Sequence, residues 1–443
     1  MKQSRYNFFF KLDNGDYLAF NALKNGLAVV GKEVVDNINS QQPGTAVNVD
    51  YDILKELKKG GFLIDDDYNE YGVLCIRRHL QQYSNLGLGL TISPSLACNL
   101  VCRYCFESTD KSVMDETVMD GLVEYVHNHI KAGIKKLSIG WYGGEPLLGL
   151  PVIERLSSEF ITLCEKDSVR YSASIITNGT LLDKETAGKL KKLHVLRAQI
   201  TIDGDKNIHN KMRPFKTGKG SFDAIMENLK EVVGIIPISL RINLDTNNAD
   251  QALTFIDKLK KEDWFYRGLE SSDIHPYYGY IKKYTSTCLC SKDEILKPGD
   301  FWAKDLELKK YFYNHLKGFD YYPEVVSGCT ATSMSSYVVD AKGNLYKCLN
   351  HLGIPEKTVG TIFEPSRLNS LYINYLTESF ENDSECMECK YLPICMGGCV
   401  DIRVKAKRGE FDAKDCNQWK YYLEEILRYY YLSKIKNRAE NSS

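Results

Sequence analysis

A chain of 443 residues with 43% hydrophobic and 26% charged residues can build two or three domains around sizeable cores, and a formal net charge of -1 offers no global attraction for nucleic acid or an anionic membrane. The opening apolar run, Phe8 to Phe10, stops at Lys11, too short for a secretory signal core, and no stretch approaches the roughly 18 apolar residues of a membrane span. A cytoplasmic protein is expected, with neither nucleic acid nor membrane as a partner.

Residues 5–30 alternate apolar and polar positions around Asn14-Gly15, a pair suited to the positive backbone angles of a tight hairpin turn. Short helical patterns follow over residues 31–40 and 51–60, the second closed by Gly60-Gly61. A hairpin with small helices reads as a winged-helix-like module over residues 1–84; a plain N-terminal extension is the alternative.

From residue 87 strand and helix patterns alternate. Strands are predicted over 87–93, 135–142, 171–177, 196–202, 239–245 and 273–281, with helices between them, for example over 118–130, 152–164 and 222–233. Such a series predicts an α/β core over residues 85–285, a parallel sheet closed or partly closed into a barrel. Sites in such barrels form at the C-terminal strand ends. Those ends carry a cysteine triplet, Gly143-Gly144-Glu145-Pro146, Thr177-Asn178-Gly179, Asp203-Gly204, and Asn243 with Asp245. Glycines there are also ordinary turn formers; their shared placement is what points to a ligand. Residues 286–325 read as a bridging region, 326–425 as a turn-rich, cysteine-rich domain, and 426–443 as a C-terminal helix and tail.

None of the 14 cysteines falls in the first 74 residues, and seven lie from Cys329 onward. In a reducing compartment, clustered thiols bind metal more often than they pair. Cys98, Cys102 and Cys105 follow the first barrel strand within eight residues. Three thiolates can hold three irons of a four-iron cluster and leave the fourth open, although close cysteines also suit a zinc knuckle. Cys75 and Cys164 sit in apolar patterns as core thiols.

The Cys-x3-Cys-x2-Cys spacing, Tyr104 before the last cysteine, and Gly143 to Pro146 at the next strand end resemble the radical S-adenosylmethionine (SAM) superfamily. The resemblance implies a partial (β/α)6 TIM-like radical SAM barrel and a [4Fe-4S] cluster whose open iron chelates SAM. It also implies that Glu145 contacts the methionine ammonium, that Asn178 and Thr201 lie near the cofactor, and that Arg213 pairs with its carboxylate. Further on, Cys329, Cys348, Cys386, Cys389, Cys395, Cys399 and Cys416 match the seven-cysteine pattern of the SPASM domain, which implies two auxiliary clusters. One would use Cys386, Cys389, Cys395 and Cys416, and the other Cys329, Cys348 and Cys399, its fourth ligand being Cys288, Cys290, another side chain or a substrate thiolate. A pair of zinc sites is the alternative.

Sulfatase-maturing members of the superfamily usually carry an aspartate after the cysteine matching Cys348; here Leu349 follows. By resemblance, the N-terminal module would bind the leader of a precursor peptide as an added strand. The reading is a maturase acting on a ribosomally made precursor peptide through a 5'-deoxyadenosyl radical, forming a thioether or carbon-carbon crosslink, with a flavodoxin- or ferredoxin-type electron donor. Two alternatives stand beside it: an anaerobic sulfatase maturase, and a non-enzymatic iron-sulfur or zinc interaction protein.

Overall fold

A computed structural model of the chain describes residues 1–40, 49–107, 110–285, 287–316, 319–326, 329–364, 369–409 and 416–441, without side chains beyond residue 435. It divides into two compact units. One comprises Met1–Tyr83, Lys309–Thr332 and Leu376–Ser443, the other Ser84–Leu308 and Ser333–Tyr375.

In the first unit, β1 (Lys2–Gln3) precedes an antiparallel meander of β2 (Asn7–Lys11), β3 (Tyr17–Asn21) and β4 (Gly26–Val30). The Asn14-Gly15 pair lies in the expected hairpin, but the loop spans residues 12–16 and only Gly15 is left-handed, at φ +90°. The longer loop thus needs one positive angle rather than the pair of a two-residue turn. Helices cover Lys32–Ser40 and Tyr51–Lys59. Asp50 caps the second by accepting from Asp52 N at 2.9 Å, and Gly61 ends it at φ +81°. The chain then enters β5 (Leu63–Ile64), which pairs with β1, and a helix over Glu70–Gln82. Ala19, Ile38, Leu57, Phe62 and Leu63 form the small core between sheet and helices.

The second unit holds the barrel. β6 (Gly87–Ile92), β7 (Lys136–Trp141), β8 (Arg170–Thr177), β9 (Val195–Thr201), β10 (Ile238–Leu244) and β11 (Ile274–Tyr280) pair in parallel and in sequence order. Alternation does the work expected of it: Leu88, Leu90 and Ile92 of β6 are buried while Gly87, Gly89 and Thr91 are half-buried.

The sheet extends further than the sequence patterns predict, because β12 (Ser336–Val339) adds in parallel beside β6, followed antiparallel by β13 (Asn344–Tyr346) and β14 (Gly360–Thr361). Residues 333–375 therefore cluster with the barrel rather than with the rest of segment 326–425. Of two further helices, one lies inside an expected segment and the other crosses an expected boundary. Pro298–His315 occupies much of the bridging region, and Trp419–Asn441 starts before residue 426, with non-helical angles at Tyr422. Among the described residues no helix is long and apolar enough to cross a membrane.

Candidate active site at the strand ends

After β6 the chain turns through Ser93, whose hydroxyl donates to Ser95 O at 3.0 Å, into the cysteine loop. Two other segments hold that loop by its backbone. Val101 N donates to Pro214 O at 2.9 Å and Arg103 N to Met212 O at 3.0 Å, while Leu289 N donates to Arg103 O at 2.8 Å. The stretch that braces the loop thus also delivers Arg213.

Cys98, Cys102 and Cys105 line a cavity of about 300 Å³ with Asn178, Thr201 and Arg213. Six of the predicted site residues meet there. Arg213 Nη1 donates to the Tyr104 hydroxyl at 2.6 Å, which donates to Asp203 Oδ2 at 2.5 Å. Arg213 Nε is buried with no hydrogen-bond partner among the described residues. Asn178 Nδ2 donates to Asn99 Oδ1 at 2.7 Å and lies 3.9 Å from Cys98 Sγ.

Glu145 is placed differently. It is fully buried, Oε1 accepting from Thr177 Oγ1 at 2.7 Å and Leu147 N at 3.0 Å, and Oε2 from Asn178 N at 2.7 Å. Burial raises its carboxyl above the usual range against the pull of these donors. The carboxylate ties the end of β7 to the end of β8, and the preceding glycines line the cavity instead. A Cβ on Gly144 would fall 2.3 Å from Ala97 O, and one on Gly143 would fall 2.3 Å from Ser93 Oγ. Close packing on the turn from Ser93 to Ala97 therefore requires glycine at both positions, and their backbone lines the cavity.

Arg241, Gln199, Tyr142 and Asn243 also line the cavity. Sequence reading passes over the first three. The alternation of β10 carries the signal for Arg241, which shares a face with Asn243 and donates to its Oδ1 at 2.7 Å. Gly279 makes room: a Cβ there would fall 2.3 Å from Arg241 Nε.

The remaining cysteines separate. Cys288 and Cys290 are buried with Ile281, against Tyr104 and Ile295, as core thiols beside the cysteine loop. Cys386, Cys389, Cys395 and Cys416 stand in the first unit, as do Cys329 and Cys399, and Cys348 stands in the second. Burial raises the Cys395 thiol, with Cys416 and Cys386 adding to the effect.

Residues 92–273 match the Radical SAM superfamily. The chain carries a radical SAM domain. Enzymes of that superfamily use a [4Fe-4S] cluster and SAM. The chain is 26% identical over 378 residues to the cysteine-type anaerobic sulfatase-maturating enzyme of Clostridium novyi, covering 77% of this chain and 95% of that one. It is 23% identical over 479 aligned residues to the radical SAM cyclopropyl synthase TigE of Paramaledivibacter caminithermalis, covering 96% and 95%. Among solved structures, Streptococcus suis SuiB bound to precursor peptide SuiA shares its fold, with a TM-score of 0.54 at 14% identity over 94% of this chain and 98% of that one.

The residues fit both groups. Cys98, Cys102 and Cys105 line one cavity, and three thiolates so placed suit three irons of a four-iron cluster. Burial pushes the Cys98 thiol up to about 11 and the Cys105 thiol up to about 12, so iron must displace their protons. For SAM, the cavity offers the backbone of Gly143 and Gly144 and the Arg213 guanidinium.

Proposed function

We propose that this chain is a radical SAM/SPASM peptide maturase that crosslinks a ribosomally synthesised precursor peptide through a thioether or carbon-carbon bond. One observation carries the reading: the thiol triplet, the backbone of Gly143 and Gly144, and Arg213 line one cavity, which Leu349 also lines. Cys98, Cys102 and Cys105 would hold the SAM-binding [4Fe-4S] cluster; Cys386, Cys389, Cys395 and Cys416 one auxiliary cluster; and Cys329, Cys348 and Cys399 the other. When bound, the first cluster supplies the electron that splits the sulfonium bond of SAM to give the 5'-deoxyadenosyl radical.

The protein's part is binding, orientation and dryness. Arg213, held through Nη1 by the Tyr104 hydroxyl that Asp203 in turn fixes, would offer its guanidinium to the methionine carboxylate. Gly143 and Gly144 present backbone, Asn178 and Thr201 add polar contacts, and Glu145 keeps this wall in register from behind. Phe106, Tyr142 and Leu349 give the cavity an apolar side that limits water near a reactive intermediate.

A precursor peptide as substrate is supported by the fold shared with SuiB, solved bound to precursor peptide SuiA. The sheet and helices of residues 1–83 suit leader binding by strand addition. A flavodoxin- or ferredoxin-type donor in the reducing cytoplasm would supply the electron. Relatedness to sulfatase-maturating enzymes favours oxidation of a Cys or Ser as a second reading; Leu349, where such enzymes carry an aspartate, argues against it.

Anaerobically reconstituted protein should hold about twelve irons for three four-iron clusters and form 5'-deoxyadenosine from SAM under dithionite. Cys102→Ala should abolish that product. A peptide encoded beside the gene should lose two hydrogens to a crosslink that survives thiol alkylation. Formylglycine in a sulfatase-type peptide would select the second reading, and stoichiometric zinc with little iron would reject both.

A further inference from the structure

Two cations touch the candidate ligands of the four-cysteine auxiliary cluster. Arg403 is only 8% exposed, and its Nη1 donates to Cys386 Sγ at 3.5 Å. Other acceptors pin the same guanidinium: Glu378 Oε1 takes Nε at 3.2 Å, Asp383 Oδ2 takes Nη1 at 3.3 Å, and Ser379 O takes Nη2 at 2.7 Å. Asp383 also caps the turn that carries Cys386, accepting from Cys386 N at 3.2 Å, so one network fixes both the arginine and the sulfur. Lys420 is exposed and reaches Cys416 Sγ at 3.7 Å.

An electron added to a thiolate-ligated cluster increases its negative charge. Hydrogen bonds and positive charge at the sulfurs therefore stabilise the reduced form more than the oxidised form and raise the potential. The buried arginine acts through a low local dielectric, whereas the exposed lysine is screened by water and salt.

We propose that Arg403 and Lys420 are positioning residues that raise the reduction potential of the cluster held by Cys386, Cys389, Cys395 and Cys416. Arg403 supplies the larger share. This inference rests on the auxiliary-cluster assignment proposed above.

The test uses the full chain with Cys98→Ala, Cys102→Ala and Cys105→Ala, so that only auxiliary clusters remain, in an anaerobic redox titration followed by electron paramagnetic resonance. Iron and sulfide are counted in each variant. Arg403→Gln should lower one midpoint by at least the 59 mV that corresponds to tenfold in a one-electron equilibrium. Arg403→Lys should recover part of that shift. Lys420→Gln should move the same midpoint by less, and raised salt should shrink that smaller shift. Unchanged midpoints in both glutamine variants at full iron content would overturn the proposal while leaving the clusters in place. If Arg403→Gln loses iron, Lys420→Gln decides alone, its unchanged midpoint overturning the proposal. Absence of iron and sulfide from the parent would instead overturn the cluster assignment.

Discussion

At Glu145 the carboxylate takes three hydrogen bonds, from Thr177, Leu147 and Asn178. Glu145→Gln sets an amide N–H₂ against donors that need acceptors, and an unmade buried hydrogen bond to a charged group costs about 2–3 kcal/mol. Urea denaturation without SAM should show a loss of that order; wild-type stability coupled to lost SAM affinity would place the carboxylate on the cofactor instead. His209 makes a second prediction. Its Nδ1 accepts from Asp203 N at 3.2 Å, which leaves Nε2–H to donate to Ser221 Oγ at 3.0 Å, and burial drives its pKa down from 6.5 to about 3. The unfolded chain therefore takes up this proton first. The stability contribution is full above pH 6.5 and is lost as pH falls toward 3, by about 2 kcal/mol at pH 5. Urea midpoints at pH 7.5, 6 and 5 should fall accordingly, and His209→Gln should flatten that fall. The residue types at these positions are legible in the sequence and their partners are not. Gly-Gly-Glu-Pro marks a strand end, but only the fold brings Thr177 and Asn178 over Glu145.

Elements were more legible than partners wherever periodicity ran long enough. The six parallel strands from β6 to β11 follow the alternating apolar runs of the sequence, because each must bury one face under a helix layer. β12 escapes notice since Ser336–Val339 is four residues long, and its place beside β6 depends on a partner more than 240 positions away. Close backbone approaches are likewise invisible in one dimension. Gly26 opens β4 where the end of helix Tyr51–Lys59 crosses it, and a Cβ there would fall 2.3 Å from Gly60 O. Both sides of that contact are backbone, so no side chain can swing aside. Gly26→Ala should cost about 1–3 kcal/mol, the usual price of overpacking, read as a lower melting temperature. A variant as stable as wild type would mean that strand and helix separate without loss.

At the scale of the molecule, the first unit draws on three separate stretches of chain, and nothing local in the sequence announces that the opening module folds together with the cysteine-rich C-terminal segment. The contacts are specific. Arg5 Nη2 donates to Met387 O at 2.8 Å, the rings of Phe8 and Tyr391 lie 4.9 Å apart, and Arg78 and Gln82 both donate to Leu376 O. Met387 lies between Cys386 and Cys389, and Tyr391 lies between Cys389 and Cys395, so part of the surface that packs on the first 83 residues is the segment around the proposed cluster ligands. Metal binding contributes folding free energy wherever the ligands lack fixed positions without it. Replacing Cys386, Cys389, Cys395 and Cys416 by alanine should therefore loosen the N-terminal module as well as the segment that loses its cluster. Hydrogen exchange is the suitable measurement, because it reports local opening region by region. Amides of β2, β3 and helix Glu70–Gln82 should exchange about tenfold faster, a loss of roughly 1.4 kcal/mol of local stability, while those of β7 to β10 keep their rates. Uniform acceleration through both units would show general unfolding, and unchanged N-terminal rates would show that the module stands without the cluster. The selective pattern alone would mean that the rigidity of the proposed leader-binding module depends on iron bound far along the sequence.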